Sequence, residues 1–252
     1  MKTSSFYEIK DKYDRDGVVV VSDIIPLDLV LRAIEESNKL YRIAGLEPNV
    51  KEVFWRLQGS KKYLEKFEPV IYRSTSFSEI AYYPKLMELI KVLLNDSGQP
   101  SLFKDKLIYK AQGQDSYPLH QDFNWWHGYS AEDICTAVIP FDDISERNGG
   151  IEFFLGCHKE CFLPEGENRA LSEEEEKKLD EYESIIISMK PGDVLIFHSL
   201  APHFSSRNMS DTWRRQLYPT YCSSKIGDVY TKQIETQRIK EKSRKDGNIY
   251  AY

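Results

Sequence analysis

The stretch Tyr117-Pro118-Leu119-His120-Gln121-Asp122-Phe123 carries the residues best suited to chemistry. On an extended segment side-chain direction alternates, so His120 and Asp122 point to the same side. An imidazole and a carboxylate on one face can grip one divalent metal. A further histidine from elsewhere completes a facial set of three ligands and leaves other coordination positions open. Taken alone, the His-x-Asp pair serves equally well as a surface hydrogen bond, so the distant ligand matters. The other four histidines are His127, His158, His198 and His203. Two of them follow a turn and an apolar run in Pro191-Gly192-Asp193-Val194-Leu195-Ile196-Phe197-His198-Ser199-Leu200-Ala201-Pro202-His203. This reads as a strand at a barrel edge. Eleven residues after His203, Arg214 opens an alternating run through Gln216, Tyr218 and Thr220. An arginine there offers a planar fork for a carboxylate, beside a metal able to chelate the other end of the same molecule. Strand parity does not choose between Arg214 and its neighbour Arg215.

The elements that must position these groups follow from the patterning. Phe6 to Arg15 reads as a helix, and Asp16-Gly17 turns into the β-branched run Val18-Val19-Val20-Val21, a buried strand. A second helix opens after Ser22-Asp23 and Pro26, with Leu29, Leu31, Ile34 and Leu40 at roughly helical spacing, and a third spans about Pro84 to Asn95. From Leu102 short alternating segments take over: Leu102–Tyr109, Ile134–Phe141, Gly150–Leu155, Ser184–Met189, Val194–Phe197 and Gln216–Cys222, separated by turns such as Asn148-Gly149-Gly150. The expected fold is mainly β with flanking helices, a sandwich or barrel in one domain over residues 1–252. Residues 1–100 form a mostly helical part with the first strand, 101–224 the β core and 225–252 a tail. Ser172 followed by Glu173-Glu174-Glu175-Glu176 is a capped, solvated helix.

The 252 residues suffice for a sizeable core, and a net charge of −6 gives no basic surface for nucleic acid. The basic stretch from Lys232 to Lys245 is broken by Glu235 and Glu241 and reads as a solvated helix or a contact surface. Cys135, Cys157, Cys161 and Cys222 match no zinc spacing, and no signal core or membrane span is present. The expectation is a cytoplasmic protein, monomer or homodimer, with a small-molecule substrate and neither nucleic-acid nor membrane partner.

Three segments together resemble the phytanoyl-CoA dioxygenase family of Fe(II)/2-oxoglutarate oxygenases. They are His120-Gln121-Asp122, the hairpin Asn148-Gly149-Gly150-Ile151-Glu152-Phe153-Phe154-Leu155-Gly156-Cys157-His158-Lys159, and Pro191-Gly192-Asp193 through Arg214. The likeness runs from the Asp16-Gly17-Val18 strand to about Tyr221. It implies a double-stranded β-helix (jelly-roll, cupin-like) core, with Fe(II), 2-oxoglutarate as cosubstrate and O2. The family pattern assigns the distal iron ligand to His203, through Ser205, Asn208, Ser210 and Arg214, so that His120, Asp122 and His203 are the metal ligands. His198 is then a packing group or one that supports a ligand, His158 structural, and His127 a rim group or one facing substrate.

By the same resemblance Arg214, Ser205 and Gln121 bind the cosubstrate. Where some members carry a tryptophan near it, this chain has Val138, and Lys106 is taken to supply a compensating charge, a solvated lysine being the alternative. Tyr117, Asn124, Trp125 and Trp126 flank the first two ligands and are assigned to the substrate pocket, with core packing open to at least one tryptophan. Arg56 and Arg73 are candidate anion anchors. The implied reaction converts 2-oxoglutarate to succinate and CO2 while oxidising the substrate. Asp122 favours hydroxylation or desaturation, since a small residue there would open a halide position. Phe103-Lys104-Asp105-Lys106 and Asp142-Asp143 resemble members acting on small polar compounds such as aminoethylphosphonate. The competing reading is a non-catalytic metal-binding jelly roll, a sensor or inactive homologue. A zinc hydrolase would want a general base beside its metal, and no His-Glu-x-x-His motif exists.

Overall fold

The computed structural model describes residues 5–47, 50–126, 128–163, 167, 169–242 and 249–250. His127 and the basic residues Arg244 and Lys245 lie outside them. The chain begins with helix α1 (Phe6–Asp16), where Ser5 and Glu8 form a reciprocal capping box, and Gly17 closes the helix at φ 77°. A side chain at Gly17 would be strained by that φ and would also meet the His158 ring at 2.5 Å. Strand β1 (Val18–Val21) follows, then α2 (Leu27–Leu46). A hairpin of β2 (Val53–Gln58) and β3 (Lys61–Phe67) leads to α3 (Thr75–Ala81) and α4 (Pro84–Leu93). The β core comprises β4 (Ser101–Lys110), β5 (Tyr117–His120), β6 (Ile134–Pro140) and β7 (Ile151–Phe154). After the short α5 (Glu173–Glu176) come β8 (Ser184–Ile186), β9 (Val194–His198), β10 (His203–Ser205) and β11 (Arg214–Cys222). The chain ends in α6 (Tyr230–Lys242) and β12 (Ile249–Tyr250).

Two sheets face each other. The larger has the order β1-β9-β6-β11-β4-β3-β2-β12, and the smaller β5-β10-β7-β8. Every pairing is antiparallel except β12 with β2. This is the double-stranded β-helix. Alternation along the strands sorts residues between two layers. Cys135, Ala137, Ile139, Val194, Ile196 and Leu217 pack against the helices. Val138, Leu195, Phe197 and Tyr218 face inward with Phe153 and Ile151 of the opposite sheet. Strands β6 and β9 are therefore buried on both faces and read as unbroken apolar runs.

The β2–β3 hairpin adds strand to a stretch expected to be mostly helical. Its alternation is disguised because the buried positions Arg56 and Glu65 are charged and satisfy each other, Nε to Oε2 at 3.0 Å. The tail is anchored at its start: the Tyr230 hydroxyl donates to Asp105, whose other oxygen accepts from the amides of Val70 and Ile71 at 2.6 and 2.8 Å. Asp142 is likewise structural, bound to Arg215. Both aspartates are thus committed to holding the fold together. No helix among the described residues is long and apolar enough to cross a membrane.

Gly17→Ala is expected to cost about 1–2 kcal/mol from the left-handed backbone and more from the His158 contact. Urea denaturation should show the double variant with His158→Ala recovering only part of the second contribution, because the Cβ at position 158 itself lies 2.8 Å from the added one.

Candidate metal centre

Strand β10 runs antiparallel between β5 and β7, and the register places His203 opposite both His120 and Phe153. The two imidazole centroids are 4.4 Å apart. Asp122 follows directly, in a short 3-10 turn from Asp122 to Trp125 whose Phe123 amide donates to the Ser199 carbonyl at 3.0 Å. One ligand atom from each of His120, Asp122 and His203 lies within 4.8 Å of the others, the only such cluster among the described residues.

The histidines are oriented by their own backbone. His120 Nδ1 lies 2.8 Å from the Pro118 carbonyl and His203 Nδ1 2.9 Å from that of Ala201. A carbonyl can only accept, so each Nδ1 carries the proton and each Nε2 offers its lone pair. Burial, with His120 alongside, pushes the His203 imidazolium down to about 3, so the ring is neutral and ready to ligate. Burial opposes charge on Asp122, but Lys106 and the two histidines outweigh it and hold the carboxyl well below the usual carboxylate range. Two imidazoles and one carboxylate suit Fe(II), and three protein ligands leave positions free on a six-coordinate ion.

Arg214 is the largest side chain buried to this degree, 1% exposed, and its Nε and Nη1 have no hydrogen-bond partner. A buried guanidinium with orphaned donors is costly unless an anion completes it. Tyr117 lies close enough to act electrostatically on it, as does Tyr218. Arg215 points the other way and is fully engaged, with Asp142 at 2.6 and 2.9 Å and with Ser37 and Asn38. The donor set thus fits iron, and the orphaned guanidinium fits a carboxylate-bearing cosubstrate.

The phytanoyl-CoA dioxygenase profile matches residues 13–216. The chain belongs to that family of Fe(II)/2-oxoglutarate-dependent oxygenases. Its relatives include a 2-aminoethylphosphonate dioxygenase from uncultured bacterium HF130_AEPn_1, 28% identical over 61% of this chain and 58% of the relative. Another is a methylphosphonate hydroxylase from Gimesia maris, 33% identical over 52% of this chain and 49% of the relative. The chain thus spans about half the length of these two relatives. Among solved structures, EctD from S. alaskensis with 2-oxoglutarate and 5-hydroxyectoine superposes with a TM-score of 0.75 at 19% identity, covering 88% of this chain and 77% of that one. Membership brings the cofactor set, Fe(II) with 2-oxoglutarate and O2.

Within this family site the remaining assignments divide. Ser205 is buried, its Oγ accepting at 2.9 Å from Lys110, which lies opposite Arg214 on the paired strand. Lys106 lies opposite Tyr218 on the inward face, its Nζ 5.2 Å from that ring, and interacts with Asp122. Trp125 stands at the rim, 38% exposed and edge-on to His120 at 5.7 Å. Asn124 is buried with its Nδ2 unpartnered. Tyr117, beneath the Arg56 guanidinium at 4.1 Å, sits at the Arg214 end.

Two assignments are corrected. Gln121 donates from Nε2 to the carbonyls of Glu160 and Leu200, both at 2.7 Å, and accepts at Oε1 from the Phe162 amide. Both its protons are spent on backbone, so it staples a loop and has no donor for a cosubstrate. Trp126 is buried in the core with Phe103, Ile134 and Cys222 and does not line the substrate pocket. His198 is kept from the metal by a different job: its Nδ1 accepts from the Leu200 amide at 3.1 Å, and its Nε2 faces Glu132 at 3.4 Å. Arg73 is bound to Glu52 at 2.7 Å. Lys110 went unnoticed in the sequence although it lies on the same face of β4 as Lys106, four residues on.

His203→Ala should lower Fe(II) or Co(II) affinity by at least about 100-fold, since a ligand is lost outright. His198→Ala should keep one equivalent of metal. Equilibrium dialysis with metal analysis distinguishes the two.

Proposed function

We propose that the protein is an Fe(II)- and 2-oxoglutarate-dependent dioxygenase that hydroxylates a small polar metabolite and releases succinate and CO2. The observation that carries this is the buried Arg214 guanidinium, whose Nε and Nη1 have no partner, in the same barrel as the ligands. A metal-binding protein without turnover has no chemical need for a dry cation aimed into its core.

Bound iron with 2-oxoglutarate supplies the O2 activation and the oxidising equivalent. The residues do the rest. His120, Asp122 and His203 hold the ion on one side, and Arg214 with Ser205 receives the far carboxylate of the cosubstrate. The apolar wall of Val138, Leu195 and Phe197 excludes water from the interior. Trp125 and Asn124 edge the opening through which substrate reaches the metal.

The lysines support a polar, anionic substrate. Lys66 and Lys104 both pair with the one buried carboxylate of Glu68, and Lys106 lies close enough to interact with all three. Here Lys66, Lys104 and Lys106 gather around Glu68, with Asp122 of the ligand set also acting on Lys106. The two phosphonate-oxidising relatives point to the same class of compound.

Anaerobic addition of 2-oxoglutarate to the Fe(II) protein should give a metal-to-ligand absorption band, and Arg214→Met should weaken that binding roughly 100-fold. Admitting O2 with small phosphonates or a metabolite extract should yield succinate and a product heavier by one oxygen. No band and no succinate would overturn the reading.

A further inference from the structure

Strand β4 lies against β11 in a register that sets Lys110 directly opposite Arg214. Cross-strand partners share a face, so two cations enter the barrel side by side. Both are buried, Lys110 at 0% and Arg214 at 1% exposure. The ammonium reaches only neutral oxygens: the Ser205 carbonyl at 3.2 Å, the Ser205 hydroxyl at 2.9 Å and the Ser206 carbonyl. The acidic groups that act on it from neighbouring elements are Glu65 of β3 and Asp115 of the following loop. Each has another cation nearer, Arg56 at 3.0 Å and Arg207 at 3.5 Å. Burial, with Arg214 and Arg56 beside it, pushes the Lys110 ammonium down to about 5 while no anion lies alongside, and an anion bound there reverses that push and restores the charge. Its seat is nonetheless built for it. Gly149 has φ 76°, and a Cβ there would lie 3.1 Å from the Lys110 nitrogen and collide with the Ser206 carbonyl. Asn208 ties the Lys110 carbonyl to the same loop at 3.0 Å.

Two adjacent buried cations repel, and each loses its hydration; a protein keeps such a pair where an anion compensates it. We propose that Lys110 is a positioning residue of the cosubstrate pocket, acting on the far carboxylate of 2-oxoglutarate through its charge and through the Ser205 hydroxyl. This rests on the 2-oxoglutarate reading of the site. The Lys110 protons are taken by oxygens of Ser205 and Ser206, so it does not touch the carboxylate itself. By donating to Ser205 Oγ it leaves the serine proton to point at the carboxylate beside Arg214. The result is a pocket that selects 2-oxo acids bearing a second negative charge.

The test is anaerobic titration of the Fe(II) protein with 2-oxoglutarate and with 2-oxobutyrate, which lacks the far carboxylate, followed by the absorption band. Lys110→Met should weaken 2-oxoglutarate about 10- to 100-fold and leave 2-oxobutyrate within about threefold of wild type. Equal loss for both acids would mean that Lys110 merely clamps the loop, and no loss for either would mean that its charge is not felt; both results overturn the proposal. Should Lys110→Met fail to fold, Lys110→Gln, which keeps a hydrogen-bond donor and removes the charge, carries the same test: selective weakening of 2-oxoglutarate supports the proposal, and wild-type binding of both acids overturns it. A wild-type protein that binds neither acid overturns the functional reading and this proposal with it.

Discussion

The site depends on one strand pairing, the antiparallel contact that sets His203 opposite His120. Strand β10 is only three residues long, yet it is held on both edges, by β5 and β7. A slip of one residue would turn the imidazole from the interior to the outside and dissolve the metal site. The surroundings secure the register by hydrogen bonds that the chemistry does not use. Gln121 ties the ligand segment to the backbone of Glu160, Phe162 and Leu200. The Phe123 amide ties the turn after Asp122 to Ser199. His198 then holds the Leu200 amide, fixing the chain just before His203. Residues adjacent in sequence to ligands thus hold the frame in which the ligands meet.

The second constraint is electrostatic. The interior carries Arg214, Lys110 and Lys106 along paired strands β11 and β4, with the anionic Asp122 at the metal. Such an arrangement is unfavourable in an empty apolar barrel, and nine paired positions between β4 and β11 hold it in place. On the proposed function this cost is offset by what the site would bind: a divalent ion at Asp122 and a dianion between the ion and Arg214. Folding stability is in this way traded for a pocket whose dipoles and charges are already arranged when ligands enter.

Where burial and residue type agree, the sequence was transparent. The apolar runs of β1, β6 and β9, the capping residue of α5, and the alternation of β11 all announce their elements. His-x-Asp and the distance from His203 to Arg214 announce the site, although the choice of His203 over His198 came from family resemblance and not from periodicity. What stayed hidden is where charge lies inside. Arg56 and Glu65 disguise two strands, and Lys110 looks like the polar end of a strand until its partner Arg214 is known. Gln121 and Trp126 misled for the opposite reason: both stand beside the ligands in sequence while their side chains are spent on a loop and on the core.

The central claim, that one iron and one 2-oxoglutarate share this barrel, is tested most directly by an anaerobic crystal structure with Mn(II) in place of iron and 2-oxoglutarate added. The account predicts a single metal bound by His120 Nε2, a carboxylate oxygen of Asp122 and His203 Nε2, chelated by the 2-oxo acid, with the far carboxylate on Arg214 and the Ser205 hydroxyl. A metal coordinated elsewhere, or a 2-oxoglutarate whose far carboxylate leaves Arg214 without a partner, would contradict it.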